Sequence, residues 1–288
     1  MILEGWYANM HSITYTSGTT NEVINLNRAQ LRAPQIHSMR ARAWSYTLSG
    51  RKATSRARAA SEVELDITSL DYDELTRFVD LADNDFANNK DGILTVNGEW
   101  SQHVAIGRDQ LNGTANPILQ QIKITVILLD GVWRRETVRT VKPCNREPGN
   151  QQFLGFPVIF PFDYMRDNAI PPIKNQSNVP IPVGFRIYGQ AYRPSIRLGA
   201  NTYQINTLVG DGAVLTVDPI RYTVTIKDRS GIVTSVFDKA ERGTGEGSGT
   251  YIFEKLPAGT THISWSNAFA FDIIIYEERT ALPWNSLS

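Results

Sequence analysis

The chain is poor in the residues that carry out chemistry. It has a single cysteine, Cys144, so no disulfide can form within it and nothing points to an oxidising compartment. Its four histidines, His11, His37, His103 and His262, are scattered, and no pair has the spacing of metal ligands. There is no Gly-x-Ser-x-Gly elbow. No apolar run approaches the ~18 residues of a transmembrane helix; the longest, in "KITVILLDG" and "AFAFDIIIY", have strand length. The opening "MILEGWYANMHS" has neither a basic segment nor an apolar core, so no signal peptide is expected. Basic and acidic residues balance at 29 each, which removes any global drive towards nucleic acid or an anionic membrane. The expectation is a soluble protein folded in a cytoplasm.

What is present is core material. A content of 41% hydrophobic and 20% charged residues suits a folded chain, and 288 residues suffice for two domains. The balanced total also hides an asymmetry. Val23 to Ser61 contains eight basic residues and no acidic one, whereas Glu62 to Asp91 contains ten acidic residues and two basic ones. The blocks either neutralise one another within a domain or lie on opposite edges and meet between copies of the chain, where complementary charge sets register.

Periodicity assigns most elements to sheet. Residues 36–48 read as a strand, followed by a loop at "SGRKATSR". In "SEVELDI", Val63, Leu65 and Ile67 alternate with Glu62, Glu64 and Asp66, the mark of a half-buried strand. One helix is expected in "SLDYDELTRFVDLADNDFANN", where Leu75, Phe78, Val79, Ala82 and Phe86 recur at helical spacing. Asp71 is its expected cap, with Glu74 completing a capping box. Asn97-Gly98 and Asp130-Gly131 each signal a tight hairpin, the second with Trp133 just past its turn. The polar stretch 142–152 reads as a boundary, giving a first domain of residues 1–150, antiparallel sheet with one helix, and a second of residues 151–288. From Phe185 onward short strands separated by turns, "YIFEKL" among them, predict a β-sandwich.

Motifs that invite chemistry fail on context. "RGTGEGSG" lacks the following Lys-Ser/Thr and the helix of a phosphate loop, and reads as a loop between strands. "DNDFANNKDG" has Leu94 where a calcium loop needs Glu. Carboxylate pairs in "LDYDEL" and "DLADND" fall on the predicted helix, where solvation and capping account for them. The six tryptophans read first as core or interface residues.

Strand and turn patterns in residues 192–284 resemble the C-terminal half of the distal tail proteins of long-tailed siphophages. "RPSIRL", "VLTVDPIRYTV", "DRSGIVTSVFD" and "YIFEKLPAGTTHISWS" carry the resemblance in order. The first half is similar in layout: basic strands around "SGRKATSR", strand "VELDI", one helix, and hairpins near Trp100 and Trp133. The resemblance implies a mainly β protein whose N-terminal domains form a ring, usually a hexamer, around a DNA-sized channel. Its C-terminal domains would be outward-pointing, galectin-like β-sandwiches. It implies a structural virion protein of the tail tip, made in the host cytoplasm and without a cofactor. Its partners would be copies of itself, the tail tube protein, and the tail-tip or receptor-binding proteins of the baseplate, with genome DNA passing through unbound.

On that reading Arg51, Lys52, Arg56 and Arg58 are candidates to line the channel or to meet an acidic neighbour, and Asp73, Glu74, Asp80 and Asp83 to supply that neighbour's surface. The subunit interface is the better role, because each phosphate contact would slow DNA that has to pass. The alternative is a carbohydrate-binding β-sandwich module of a surface-recognition protein, with Tyr188, Tyr192, Tyr203 and Trp265 as its stacking platform. An enzyme on a sandwich scaffold has no motif behind it.

Overall fold

Side-chain alternation with a period of two governs most of the chain. The computed structural model describes residues 12–27, 31–33, 38–40, 44–111, 120–143 and 171–282. It is mainly β, and among the described residues there is one α-helix. Two compact units emerge, Met1–Glu136 with Glu278–Ser288, and Thr137–Glu277. The stretch expected as a boundary lies, from residue 144, outside the described residues.

The first unit contains β1 (Ile13–Thr16), β2 (Val23–Asn25), β3 (Leu31–Arg32), β4 (Trp44–Ser49), β5 (Lys52–Arg58), β6 (Ser61–Ser69), α1 (Tyr72–Ala87), β7 (Gly92–Val96), β8 (Trp100–Leu111), β9 (Gln120–Leu128) and the start of β10 (Trp133–Val141). Its antiparallel sheet runs β2-β1-β7-β8, continues through β9 to β6, and ends at β3. As the alternation requires, Val63, Leu65 and Ile67 of β6 are buried and Glu62, Glu64 and Asp66 exposed. They meet Ile122, Ile124 and Val126 of β9 in one core with Leu75 and Phe78 of α1.

Asp71 caps α1, its carboxylate accepting from the Asp73 amide at 2.9 Å. The capping box is corrected: the Ser69 hydroxyl accepts the Asp71 N–H, and Glu74 faces Arg77. The strand expected over 36–48 is shorter, because Ser38–Arg40 forms a 3-10 turn that buries Met39 and β4 starts only at Trp44.

Asn97-Gly98 closes the β7–β8 hairpin with both residues at positive φ. Asp130-Gly131 does not reverse the chain. Both β9 and β10 run along the same edge of β8, with Leu128 opposite Val104 and then Arg134 and Arg135 opposite Ser101 and Trp100. The segment between is a kink in one running edge. Asp130 fills the interrupted ladder by accepting the His103 amide at 3.1 Å, and Gly131 supplies a φ of 64°.

The second unit holds β11 (Ile173–Asn175), β12 (Val183–Tyr188), β13 (Ala191–Tyr192), β14 (Ser195–Leu198), β15 (Asn201–Gln204), β16 (Leu208–Val209), β17 (Val214–Asp218), β18 (Thr223–Lys227), β19 (Val233–Ser235), β20 (Gly259–Thr261), β21 (Ile263–Trp265) and most of β22 (Phe271–Arg279). A five-strand antiparallel sheet runs β19-β18-β17-β12-β22, and a smaller one runs β15-β14-β21. Phe185 of β12 and Tyr203 of β15 lie with ring centroids 4.8 Å apart, tilted at 55°, in a shared core, so the two sheets pack face to face as a sandwich does. "YIFEKL" is not a strand. It is a turn touching Ile181 through Leu256, and its apolar residues Ile252, Phe253 and Leu256 are buried as turn anchors.

Candidate interaction surfaces

Four residues of the basic block, Arg51, Lys52, Arg56 and Arg58, lie on a two-stranded hairpin. Among the described residues, strands β4 and β5 pair only with each other, from Trp44 opposite Arg58 to Ser49 opposite Lys52, with Gly50 and Arg51 as the turn. A bulge follows, since Ser45 opposes Ala57 but Thr47 opposes Thr54, and Ser55 takes a φ of 49°. Alternation along β4 puts Trp44, Tyr46 and Leu48 on one face, and all three are exposed, by 44%, 59% and 69%. Their partners across the ladder are Arg58 and Ala53, which offer little apolar cover. Arg56, two residues from Arg58 along β5, shares that face.

The hairpin is anchored at its base. The Arg58 guanidinium lies over the Trp44 ring at 5.8 Å and donates to Glu278 at 2.9 Å. Glu278 also accepts from Arg134 at 3.1 Å, and Arg134 reaches Asp130 at 2.7 Å. His103 completes the chain, its Nδ1 lying 2.9 Å from Asp130. Burial alone would raise the Asp130 pKa, but the bonds from His103 and the Arg134 charge outweigh it and hold the carboxyl below the usual range. Arg51, Lys52 and Arg56, further out, have no ion pair among the described residues.

The acidic block disperses. Asp85 is buried and structural, Asp71 caps α1, and Glu64 pairs with Lys123 at 3.1 Å. On α1, Asp73, Asp80 and Asp83 are exposed, while Glu74 lies 3.2 Å from Arg77, which Glu22 also holds. Asp80 and Asp83 face a groove between the helix and β8. The β8–β9 register shifts between Ile106 and Arg108, leaving Gly107 unpaired, and the groove beside this bulge has a volume of about 200 Å³. Val79, Phe86 and Ile106 supply its apolar lining, and Asp80, Asp83 and Asp109 its rim. Helical spacing places Phe86 on the buried stripe, but it is 53% exposed because the groove runs beside it.

The structure therefore gathers the four predicted basic residues on one hairpin and the predicted acids on one helix. The four aromatic residues of the alternative platform are differently placed. Tyr203 is buried and donates to the Glu254 carbonyl at 2.8 Å. Tyr188 donates to Asp272 at 2.5 Å, and Trp265 packs against Phe271 while donating to the Phe269 carbonyl. Of the four, Tyr192 is the exposed one. Sequence reasoning named the charges but passed over Tyr46 and Leu48, and it assigned Phe86 to the apolar stripe of the helix. The available signal was the apolar alternation "WSYTL" facing a strand, "KATSRAR", with no large apolar residue to cover it.

No protein-family model and no curated protein matches the sequence. Solved structures do match its fold. SPP1 Dit, described as a paradigm of the hub adsorption apparatus in phages infecting Gram-positive bacteria, aligns over 94% of this chain and 99% of its own, with a TM-score of 0.53 and 11% identity. This is the fold of a phage distal tail hub. Two structures of the phage p2 baseplate in its activated conformation agree. The one with strontium aligns over 95% of this chain and 100% of the matched chain (TM-score 0.61, 11% identity). The one with calcium has the same coverages (TM-score 0.59, 12% identity). The Dit fold thus spans both units, the sheet with its helix and the sandwich alike.

Proposed function

We propose that the chain is a structural virion protein of a long-tailed phage, a distal tail ring that joins the tail tube to the tail-tip or baseplate proteins and serves as the hub for host adsorption. The observation that carries the reading is end-to-end coverage: 94% of this chain aligns with 99% of SPP1 Dit, so the whole hub fold is matched and not one common sandwich. In this reading the first unit builds the ring and the second is a galectin-like sandwich that carries docking partners. DNA passes through the ring without specific binding, and the protein works by shape, not by catalysis.

The test is the solution mass of the purified full chain by light scattering, with negative-stain images of the same sample. The expected result is a hexameric ring, six times the 32.2 kDa chain mass. A monomer at every concentration overturns the self-assembling hub.

A further inference from the structure

We propose that the β4–β5 hairpin of one copy docks into the α1–β8 groove of a second copy, with Tyr46 entering the groove beside Phe86 and Arg56 facing Asp80, Asp83 and Asp109. The inference rests on the self-assembling reading above and names the contact that carries it.

Four observations lead there. First, Trp44, Tyr46 and Leu48 form an apolar stripe on a hairpin that no third strand supports among the described residues, and a lone two-stranded hairpin is marginal in water. A stripe of this kind is expected to be covered in the working assembly. Second, the groove is a slot of about 200 Å³, the scale of one large side chain, with a mixed lining in which the exposed Phe86 stands beside Val79 and Ile106 and the acids are at the rim. A pocket filled by one aromatic anchor is the usual centre of an interface. The bulge opposite Tyr46 is the kind of device that re-aims a side chain.

Third, the charges match. Asp80, Asp83 and Asp109 rim the groove with only Arg108 against them, and none of the three acids has an ion pair among the described residues. Arg51, Lys52 and Arg56 on the hairpin are likewise unpaired among those residues. Each set is what the other lacks, and bringing them together steers and registers the contact. Fourth, donor and acceptor are on the same chain. Each copy offers one hairpin and one groove, which makes a head-to-tail contact, the type that closes into a ring when the rotation between copies permits. Such a contact needs no third component, which is why a second copy is the occupant and not a protein of other sequence.

The experiment exchanges the charges. Arg56→Glu and Asp83→Arg are made singly and together, with Tyr46→Ala as a separate variant. All three positions are exposed, and circular dichroism checks that each variant keeps the native spectrum. Self-association is followed by light scattering over a concentration series in dilute salt. Each single exchange is expected to weaken association by about tenfold or more, as is Tyr46→Ala, and the double exchange to recover most of the loss. Wild-type protein that assembles while the variants assemble equally well overturns the hairpin contact and leaves the ring standing. A double exchange no better than the singles also overturns it. A wild-type chain that never assembles sinks the ring and the contact together.

Discussion

The Tyr15 hydroxyl donates to the Asp85 carboxylate at 2.6 Å, tying the first strand of the sheet to the last turn of the helix. The same carboxylate accepts from the Ser17 hydroxyl at 2.8 Å and from the Gly18 and Thr19 amides at 3.0 and 2.8 Å. Burial raises the Asp85 pKa, yet these donors together win and lower it.

Asp85→Ala strands four donors in a buried place and is expected to cost roughly 2–4 kcal/mol, read by denaturant unfolding of the full chain. The pH dependence has a definite sign. A carboxyl whose folded pKa lies below its unfolded value near ~3.9 contributes fully above that value and loses the contribution as pH falls through the folded one. Stability should therefore fall on acidification below about pH 4, and less steeply in Asp85→Asn. An identical acid slope in the two proteins would remove Asp85 as the cause.

Gly92 lies directly under the Tyr15 ring, and a Cβ placed there would stand inside the van der Waals envelope of the ring carbons. The ring has little freedom to yield, because it is buried, packs edge-on against Phe78 at 5.7 Å and is tethered to Asp85. Gly92→Ala is expected to cost about 1–3 kcal/mol by overpacking. Adding Tyr15→Leu should recover part of it. Losses that simply add would show that the ring is not what the methyl group meets.

Asp130 holds a kink where a continuous strand would otherwise run, with bonds to His103 and Arg134. Asp130→Ala should cost about 1–3 kcal/mol, by removing the carboxylate that His103 and Arg134 share. Its lowered pKa gives the same acid-side sign as Asp85. The cost of Asp130→Ala is expected to shrink as the pH falls through the folded carboxyl's value, where protonation removes the same contribution from the unsubstituted chain. A cost that is the same at acid and at neutral pH would show that the Asp130 carboxylate does not supply it.

Leu282, near the end of the described chain, is buried in the core of the first unit. Leu282→Ala should cost about 2–4 kcal/mol, as for other large-to-small changes in a filled core. A loss below the error of a denaturation experiment would place this segment outside that core.

Local pattern made several elements legible. The alternation in "SEVELDI" dictates which face of β6 is buried, and the helix spacing with Asp71 before it dictates α1 and its cap, because both depend on residues within a turn or two of one another. The Asn97-Gly98 hairpin follows from two residues that accept positive φ. Asp130-Gly131 carries the same local signal and does something else. Its outcome depends on β8, some thirty residues earlier, which offers one long edge that both flanking strands occupy. "YIFEKL" has strand composition, but among the described residues its pairing is limited to one bridge at Leu256, so its apolar residues anchor a turn.

By itself, then, the sequence determined the class: a mainly β chain with one capped helix, balanced overall in charge and segregated locally. Tertiary structure decided which charges are spent inside the fold and which are left over. Asp85, Asp71 and Glu64 are consumed by buried, capping or paired contacts, and Asp80, Asp83 and Asp109 have no ion pair among the described residues. It also decided that the apolar residues of β4 gain no cover while Phe86 opens onto a groove. Such outcomes turn on which strand lies beside which, and that is settled by contacts between residues far apart in the chain.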